Sequence, residues 1–305
     1  GDRSAPSATV RAMVDIKGDV ADGFGLLADA FAANFEQRGE LGAAFSLYAN
    51  GEVVADLHAG VADKESGAPW DRQTLALVFS TTKGAAAICV AMMVEAGKLS
   101  YDEPVANYWP EFGAAGKADI TLGQVMSHQA GLIYADPPLG LDDILAVAPV
   151  NETLAAQAPL WRPGTKHGYH AVTYGWLAAE VLRRVDGRRL GQFFAEEVAD
   201  PLGLDFWIGL PEEEEHRVST LRAAPRPEGA DLELMMTIAG PGTTGGRALT
   251  MDGALEISGP RRSFNRRELH ATEMPAANGI TNAVSLAKMY AATIGEIDGL
   301  RLTSD

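Results

Sequence analysis

The sequence predicts an α+β fold, with an antiparallel sheet flanked by helices and joined to a mostly helical part. Three observations carry this expectation. Strand patterns cluster before residue 80 and helical patterns follow, so the chain lacks the strand–helix alternation of a parallel sheet. Asn50-Gly51 between two alternating stretches marks an antiparallel hairpin. Ten consecutive apolar residues, Ala85 to Val94, are too uniform for a surface helix and too few to span a bilayer, and so mark a buried central helix.

The first element is a helix over residues 22–38, where Phe24, Leu27, Phe31 and Phe35 recur at spacings of three and four and Gly39 stops it. Its apolar stripe should lie on a sheet. Phe45 and Leu47 then alternate with Ser46 and Tyr48. On the return strand Val53, Ala55, Leu57, Ala59 and Val61 share one face, with Asp56 and His58 on the other, which is the pattern of a half-solvated pair. A hairpin alone leaves an exposed edge unless another segment pairs with it. Residues 75–79 form a short apolar run into Ser80-Thr81-Thr82-Lys83, and residues 80–96 read as the central helix. Shorter helices follow at 121–128, at 171–185 with Trp176 and Leu177 inward, and at 285–294. Glu212 to Glu215 reads as a solvated loop. The Gly-, Pro- and Arg-rich stretch 240–267 reads as disordered or as a lid. The expected organisation is one single domain over 1–305: a tail at 1–19, helix and hairpin at 20–79, and a mostly helical part at 80–295 carrying the lid-like loop.

Composition narrows the function. With 25 Lys and Arg against 41 Asp and Glu, the formal charge is −16, which repels the phosphates of nucleic acid and of anionic membranes. At 47% hydrophobic and 22% charged residues the chain supports a substantial core. The lone Cys89 lies in the apolar run and is expected to pack as a small hydrophobe, so no disulfide framework or Cys-rich zinc site is expected. Residues 1–17 show no basic-then-apolar leader, which together with the single cysteine points to a cytoplasmic location.

Ser80-Thr81-Thr82-Lys83 carries the chemistry. Residues three apart share a helical face, so Lys83 can reach Ser80, and the helix N-terminus adds partial positive charge beneath the hydroxyl. A lysine on an apolar helix loses solvation and with it part of its proton affinity, which suits a general base. Spacing alone is weak evidence, because 12 Ser and 7 Lys in 305 residues give roughly 0.3 Ser-x-x-Lys matches by chance. A second match, Ser285-Leu286-Ala287-Lys288, opens an amphipathic helix, where Ser285 is expected to be the N-cap and Lys288 to face water. Ser80 differs in its context: the helix behind it has no polar face on which Lys83 could be solvated, and a buried lysine without a task is costly.

Val78-Phe79-Ser80-Thr81-Thr82-Lys83-Gly84 resembles the first motif of the serine β-lactamase and penicillin-binding-protein superfamily, and within it the class C-like esterases, also called family VIII carboxylesterases or β-lactamase-related serine hydrolases. Gly60-Val61-Ala62-Asp63, Met126-Ser127-His128-Gln129-Ala130-Gly131-Leu132 and Trp161-Arg162-Pro163-Gly164-Thr165 leading to Gly168-Tyr169 agree in order, over roughly residues 20–295. The resemblance implies a serine β-lactamase/transpeptidase-like fold, with Tyr169 at the second motif relaying a proton between Ser80 and the leaving group. Ala171 stands where the lactamases and peptidases carry an Asn that binds the substrate amide, which favours an esterase. The third motif, a Lys-Thr-Gly or Gly-rich strand after the last helix, has no match before Asp305. The strand that would supply an oxyanion-hole N–H, and with it several C-terminal strands of the sheet, is therefore expected to be missing. Gly245-Gly246-Arg247 precedes the last helix and is not that motif.

The remaining polar residues take plainer readings. His128 resembles the family's structural histidine beside the site, since Lys83 fills the base role. His167 and His170 read as solvated loop residues. No metal is expected, because neither His-Glu-x-x-His nor paired ligand spacing occurs, and no cofactor is implied. Gly-x-Ser-x-Gly is absent as well. The expected function is a serine hydrolase that cleaves small carboxylic esters through an acyl-enzyme on Ser80, with Lys83 as base and Tyr169 as relay. Alternatives are a β-lactamase, a D-amino peptidase or an acyltransferase of the same superfamily, or a non-catalytic binding protein or inactive fragment on this fold. The expected partner is a small ester or amide substrate, with no nucleic acid and no membrane span; oligomeric state is not legible.

Overall fold

The computed structural model describes residues 14–225, 227–256 and 263–304. Antiparallel sheets with many helices make it a mixed α/β fold, in agreement with the expected class. The chain divides into two compact units, Gly1–Thr74 and Leu75–Asp305.

In the first unit, β1 (Lys17–Val20), β2 (Gly42–Ala49) and β3 (Glu52–Gly60) form an antiparallel sheet in the order β1-β3-β2. The hairpin turns on Asn50 and Gly51, with φ of 52° and 84°, the left-handed pair that the strand twist demands. Ala55, Leu57 and Ala59 are buried as the alternation predicts. Val53 is not, because the register shifts between Leu47 and Tyr48: Leu47 pairs with Ala55 and Tyr48 with Val53, so Val54 is an extra residue. That bulge breaks the period of two and leaves Val53 41% exposed. β1 corrects the expected tail at 1–19. Its Lys-Gly-Asp-Val has no alternation to announce a strand, yet it pairs with β3 from Lys17 opposite His58 to Val20 opposite Ala55 and covers that edge of the hairpin. Residues 1–13 of the tail lie outside the described residues.

Helix α1 (Leu26–Arg38) begins four residues later than predicted, because Gly23 has φ 88° and residues 22–23 form a turn. Phe31 and Phe35 meet edge to face at 5.4 Å and pack with Leu57 and Ala59, so the stripe does lie on the sheet.

In the second unit, β4 (Ala76–Leu77), β5 (Phe206–Trp207) and β6 (Ile280–Thr281) make a small antiparallel sheet in the order β4-β6-β5. β4 leads into α2 (Thr82–Glu95), the predicted central helix. No residue from Thr81 to Val94 is exposed and Cys89 is fully buried. Helix α2 packs on the Thr173–Asp186 and Leu190–Phe194 helices, with Trp176 and Leu177 inward as expected.

Three expectations change here. The N-cap of the Ala283–Ile294 helix is Asn282, whose side chain accepts from Ser285 N–H at 2.9 Å. Ser285 is buried instead, accepting from Asp205 N–H at 2.9 Å, and Lys288 donates to Leu202 O at 2.5 Å and pairs with Asp298 rather than facing water. The described part of 240–267 is not wholly irregular. It holds a helix, Thr244–Thr250, capped by the Thr243 hydroxyl, which accepts from Gly246 N–H at 3.0 Å, while residues 257–262 lie outside the described residues. His170 is fully buried, not solvated. Among the described residues, no helix is long and apolar enough to cross a membrane.

Candidate active site

Where β4 runs into α2, Phe79 takes φ 43°, a left-handed conformation that costs a bulky residue about 1–3 kcal/mol unless its surroundings impose it. The surroundings here do. Val78 N–H donates to Gly279 O at 2.8 Å, the Thr82 hydroxyl donates to Phe79 O at 2.6 Å while accepting from Gly279 N–H at 2.8 Å, and the Phe79 ring meets Phe264 at 5.0 Å. The bend lifts Ser80 out of the strand. Ser80 is exposed just ahead of α2, and its N–H has no hydrogen-bond partner among the described residues.

Lys83 lies one turn on, with Nζ 3.2 Å from Ser80 Oγ. Nζ also donates to Ala171 O at 2.7 Å and to Ala276 O at 2.9 Å. Burial pushes its pKa below the ordinary lysine value, an effect partly offset by the neighbouring Tyr169 hydroxyl. A neutral amine has two N–H donors and one lone pair. As an ammonium Lys83 donates to all three oxygens; once neutral, with both N–H donors kept on the carbonyls, its lone pair would face Ser80 Oγ.

Two aromatic rings face the lysine, Tyr169 at 4.8 Å and Tyr174 at 5.9 Å from Nζ. Tyr174 is buried, which raises its pKa, whereas Tyr169 is 49% exposed and open to an incoming molecule. The loop bearing Tyr169 is tied to the loop after the Leu122–Met126 helix by backbone bonds, Gly164 N–H to Gln129 O at 3.2 Å and Gly168 N–H to His128 O at 3.1 Å. The His128 ring packs 4.9 Å from Tyr169, and its Nδ1 accepts from His170 N–H at 3.1 Å. His170 bridges the same loops: Nδ1–H donates to Gly168 O at 2.7 Å and Nε2 accepts from Leu132 N–H at 3.1 Å. Burial holds both histidines down at about 4, so both are neutral at neutral pH. They brace the Tyr169 loop.

The structure thus brings Ser80, Lys83 and Tyr169 together and leaves Ser285 and Lys288 in a separate packing role. Sequence reasoning missed the segment 271–279. Asn278, fully buried, accepts from Met274 N–H at 3.0 Å and donates to Leu269 O at 2.8 Å and Thr272 O at 2.5 Å, shaping the loop that presents Ala276 O to Lys83. The dipeptide Asn278-Gly279 was the available signal, and it marks a turn without saying which carbonyl the turn presents. Among the described residues, no group of three or more His, Cys, Asp or Glu could hold a metal ion.

A family model described as Beta-lactamase matches residues 27–304. The Esterase/beta-lactamase LipL of Mycobacterium tuberculosis is 36% identical over 288 residues, which cover 92% of this chain and 65% of that protein. The solved structure of a family VIII carboxylesterase is 41% identical with a TM-score of 0.79, covering 95% of this chain and 75% of that one. That of a penicillin-binding-protein homolog from Caulobacter crescentus is 38% identical with a TM-score of 0.83, again covering 95% and 75%. The chain therefore spans just under two thirds of the mycobacterial protein's length, and its mixed α/β architecture is the one these two solved structures have.

Proposed function

The chain belongs to the beta-lactamase family, and on that premise we propose that it is a serine hydrolase cleaving small carboxylic esters through an acyl-enzyme on Ser80. One observation carries the reading: Lys83 Nζ is held by Ala171 O and Ala276 O and lies 3.2 Å from Ser80 Oγ. In the first step the Ser80 hydroxyl proton passes to Lys83 as Oγ bonds to the ester carbonyl carbon. The Ser80 N–H, at the start of α2, stabilises the oxyanion. Collapse breaks the carbon–oxygen bond to the alcohol, and Tyr169, between Lys83 and solvent, hands the alkoxide its proton. Water then adds to the acyl-enzyme by the same route in reverse, giving the acid and restoring Ser80.

An ester is favoured over a β-lactam because Ala171 offers no side-chain amide; its side chain is buried and its carbonyl is already held by Lys83. A fluorophosphonate probe tests the nucleophile: it should label wild type and not Ser80→Ala, and equal labelling of the two overturns the assignment. A short-chain nitrophenyl ester should be cleaved faster than a chromogenic cephalosporin.

A further inference from the structure

Between Ser80 and Lys83 the chain carries a side chain that no substrate reaches. Thr82 is fully buried, and its hydroxyl works in both directions: it donates to Phe79 O at 2.6 Å and accepts from Gly279 N–H at 2.8 Å. The first bond holds the left-handed residue immediately before Ser80. The second reaches across 197 residues of chain to the end of the segment whose Ala276 O anchors Lys83. One hydroxyl therefore ties the bend under the nucleophile to the loop that seats the lysine.

The junction has little slack. A Cβ on Gly279 would stand 2.6 Å from Thr82 Oγ1 and 3.0 Å from its methyl carbon. Phe79 O also accepts from Thr82 N–H at 3.0 Å, a turn bond that any residue other than proline would supply, so the contact that depends on the side chain is the bridge to Gly279. A hydroxyl can make that bridge because it donates and accepts at one oxygen, which an apolar side chain of the same shape cannot do. The second Ser-x-x-Lys, whose serine only packs, carries Ala287 at the equivalent place.

We propose that Thr82 is a positioning residue for the reaction at Ser80: its hydroxyl keeps Phe79 left-handed and Ala276 O in line with Lys83 Nζ, and so holds Ser80 Oγ and Nζ at reacting distance. Its role rests on the reading of Ser80 as the nucleophile. Without the hydroxyl, Phe79 is free to relax toward an ordinary negative φ and turn Ser80 away from Lys83, and a misplacement of about 1 Å suffices to cost on the order of 100-fold in rate.

Two variants of the full chain test it. Thr82→Val keeps the shape and removes the hydroxyl; Thr82→Ser keeps the hydroxyl and removes the methyl. Both should lower the urea midpoint, the first by leaving Gly279 N–H without this acceptor and the second by leaving a small void. Only Thr82→Val should slow the chemistry. Its kcat on a short-chain nitrophenyl ester and its rate of fluorophosphonate labelling should fall about 10- to 100-fold with KM within about threefold, while Thr82→Ser stays within about threefold of wild type in all three. A group that merely stabilises the fold would lower both midpoints and leave the rates of the folded protein unchanged, and that result overturns the proposal, as does equal slowing of the two variants. Should Thr82→Val not fold, Gly279→Ala, whose Cβ displaces the hydroxyl, takes its place: the same fall in rate is expected, and an unchanged rate overturns the proposal. Failure of the hydrolase reading looks different, since wild type would then go unlabelled or Ser80→Ala would be labelled equally, and either outcome withdraws the role of Thr82 with it.

Discussion

The carbonyl oxygen of Ala276 accepts a hydrogen bond from Lys83 Nζ at 2.9 Å across 193 residues of chain. The contact depends on Gly175, where a Cβ would lie 2.5 Å from Ala276 N and 2.6 Å from Pro275 C. Gly175→Ala should therefore push the 275–276 backbone away from the Thr173–Asp186 helix and loosen the lysine's anchor. Overpacking of about 1–3 kcal/mol exceeds the roughly 1 kcal/mol that alanine gains in helix propensity. The expected result is a lower urea midpoint with a fall in kcat, and a variant as stable and as active as wild type would show that the segment yields freely.

Activity should rise with pH as Lys83 loses its proton, since only the neutral amine can take the Ser80 hydroxyl proton. Because burial lowers the Lys83 pKa, the rising limb of kcat/KM should lie below the ordinary lysine value of about 10.4. His128 and His170 are held at about 4 and are already neutral at neutral pH, so a limb that comes from Lys83 should keep its place in His128→Gln. Lys83→Arg, which stays charged, should remove the limb and cost roughly 100- to 10,000-fold in kcat. A limb that persists in Lys83→Arg would reassign the base.

His170 makes stability pH-dependent in the opposite region. Its folded pKa of about 4 is depressed below the unfolded value of about 6.5, so between these values the unfolded chain binds a proton that the fold does not. Stability is then complete above about pH 6.5 and falls with pH toward 4, by about 3 kcal/mol from this one group. His170→Gln should lose about 1–3 kcal/mol at neutral pH, from the bonds to Leu132 N–H and Gly168 O, and reduce the loss between pH 6.5 and 4, where His128, also held at about 4, still contributes. Urea midpoints of the two proteins at several pH values check both parts.

These residues also mark how far the sequence could be read. Ser80 and Lys83 were legible because one helical turn fixes their separation and an apolar helix behind them leaves the lysine no solvent. The hairpin was legible because a two-residue turn fixes which strand faces pair. Tyr169, 86 residues from Lys83 in the chain, was identified only through the resemblance. The Ala171 and Ala276 carbonyls were invisible, since every residue carries a carbonyl and only the fold selects two of them. β1 and the Val54 bulge were missed for a related reason: pairing with β3 creates them, and neither has a periodicity of its own.

The two Ser-x-x-Lys sequences give the sharpest separation of chemistry from packing. Ser80 is exposed and its hydroxyl faces Lys83, so Ser80→Ala should abolish ester hydrolysis with little change in the unfolding midpoint. Ser285 is 5% exposed and its hydroxyl accepts from Asp205 N–H at 2.9 Å, beside β5. Ser285→Ala leaves that buried N–H without its acceptor, which should cost about 1–3 kcal/mol of stability. Its kcat/KM should match wild type, because neither Ser285 nor Lys288 reaches the Ser80 site: Lys288 is held by Leu202 O and Asp298. Measured side by side, Ser80→Ala should be stable and inactive, and Ser285→Ala weakened and active. The reverse pattern would move the nucleophile to the second motif.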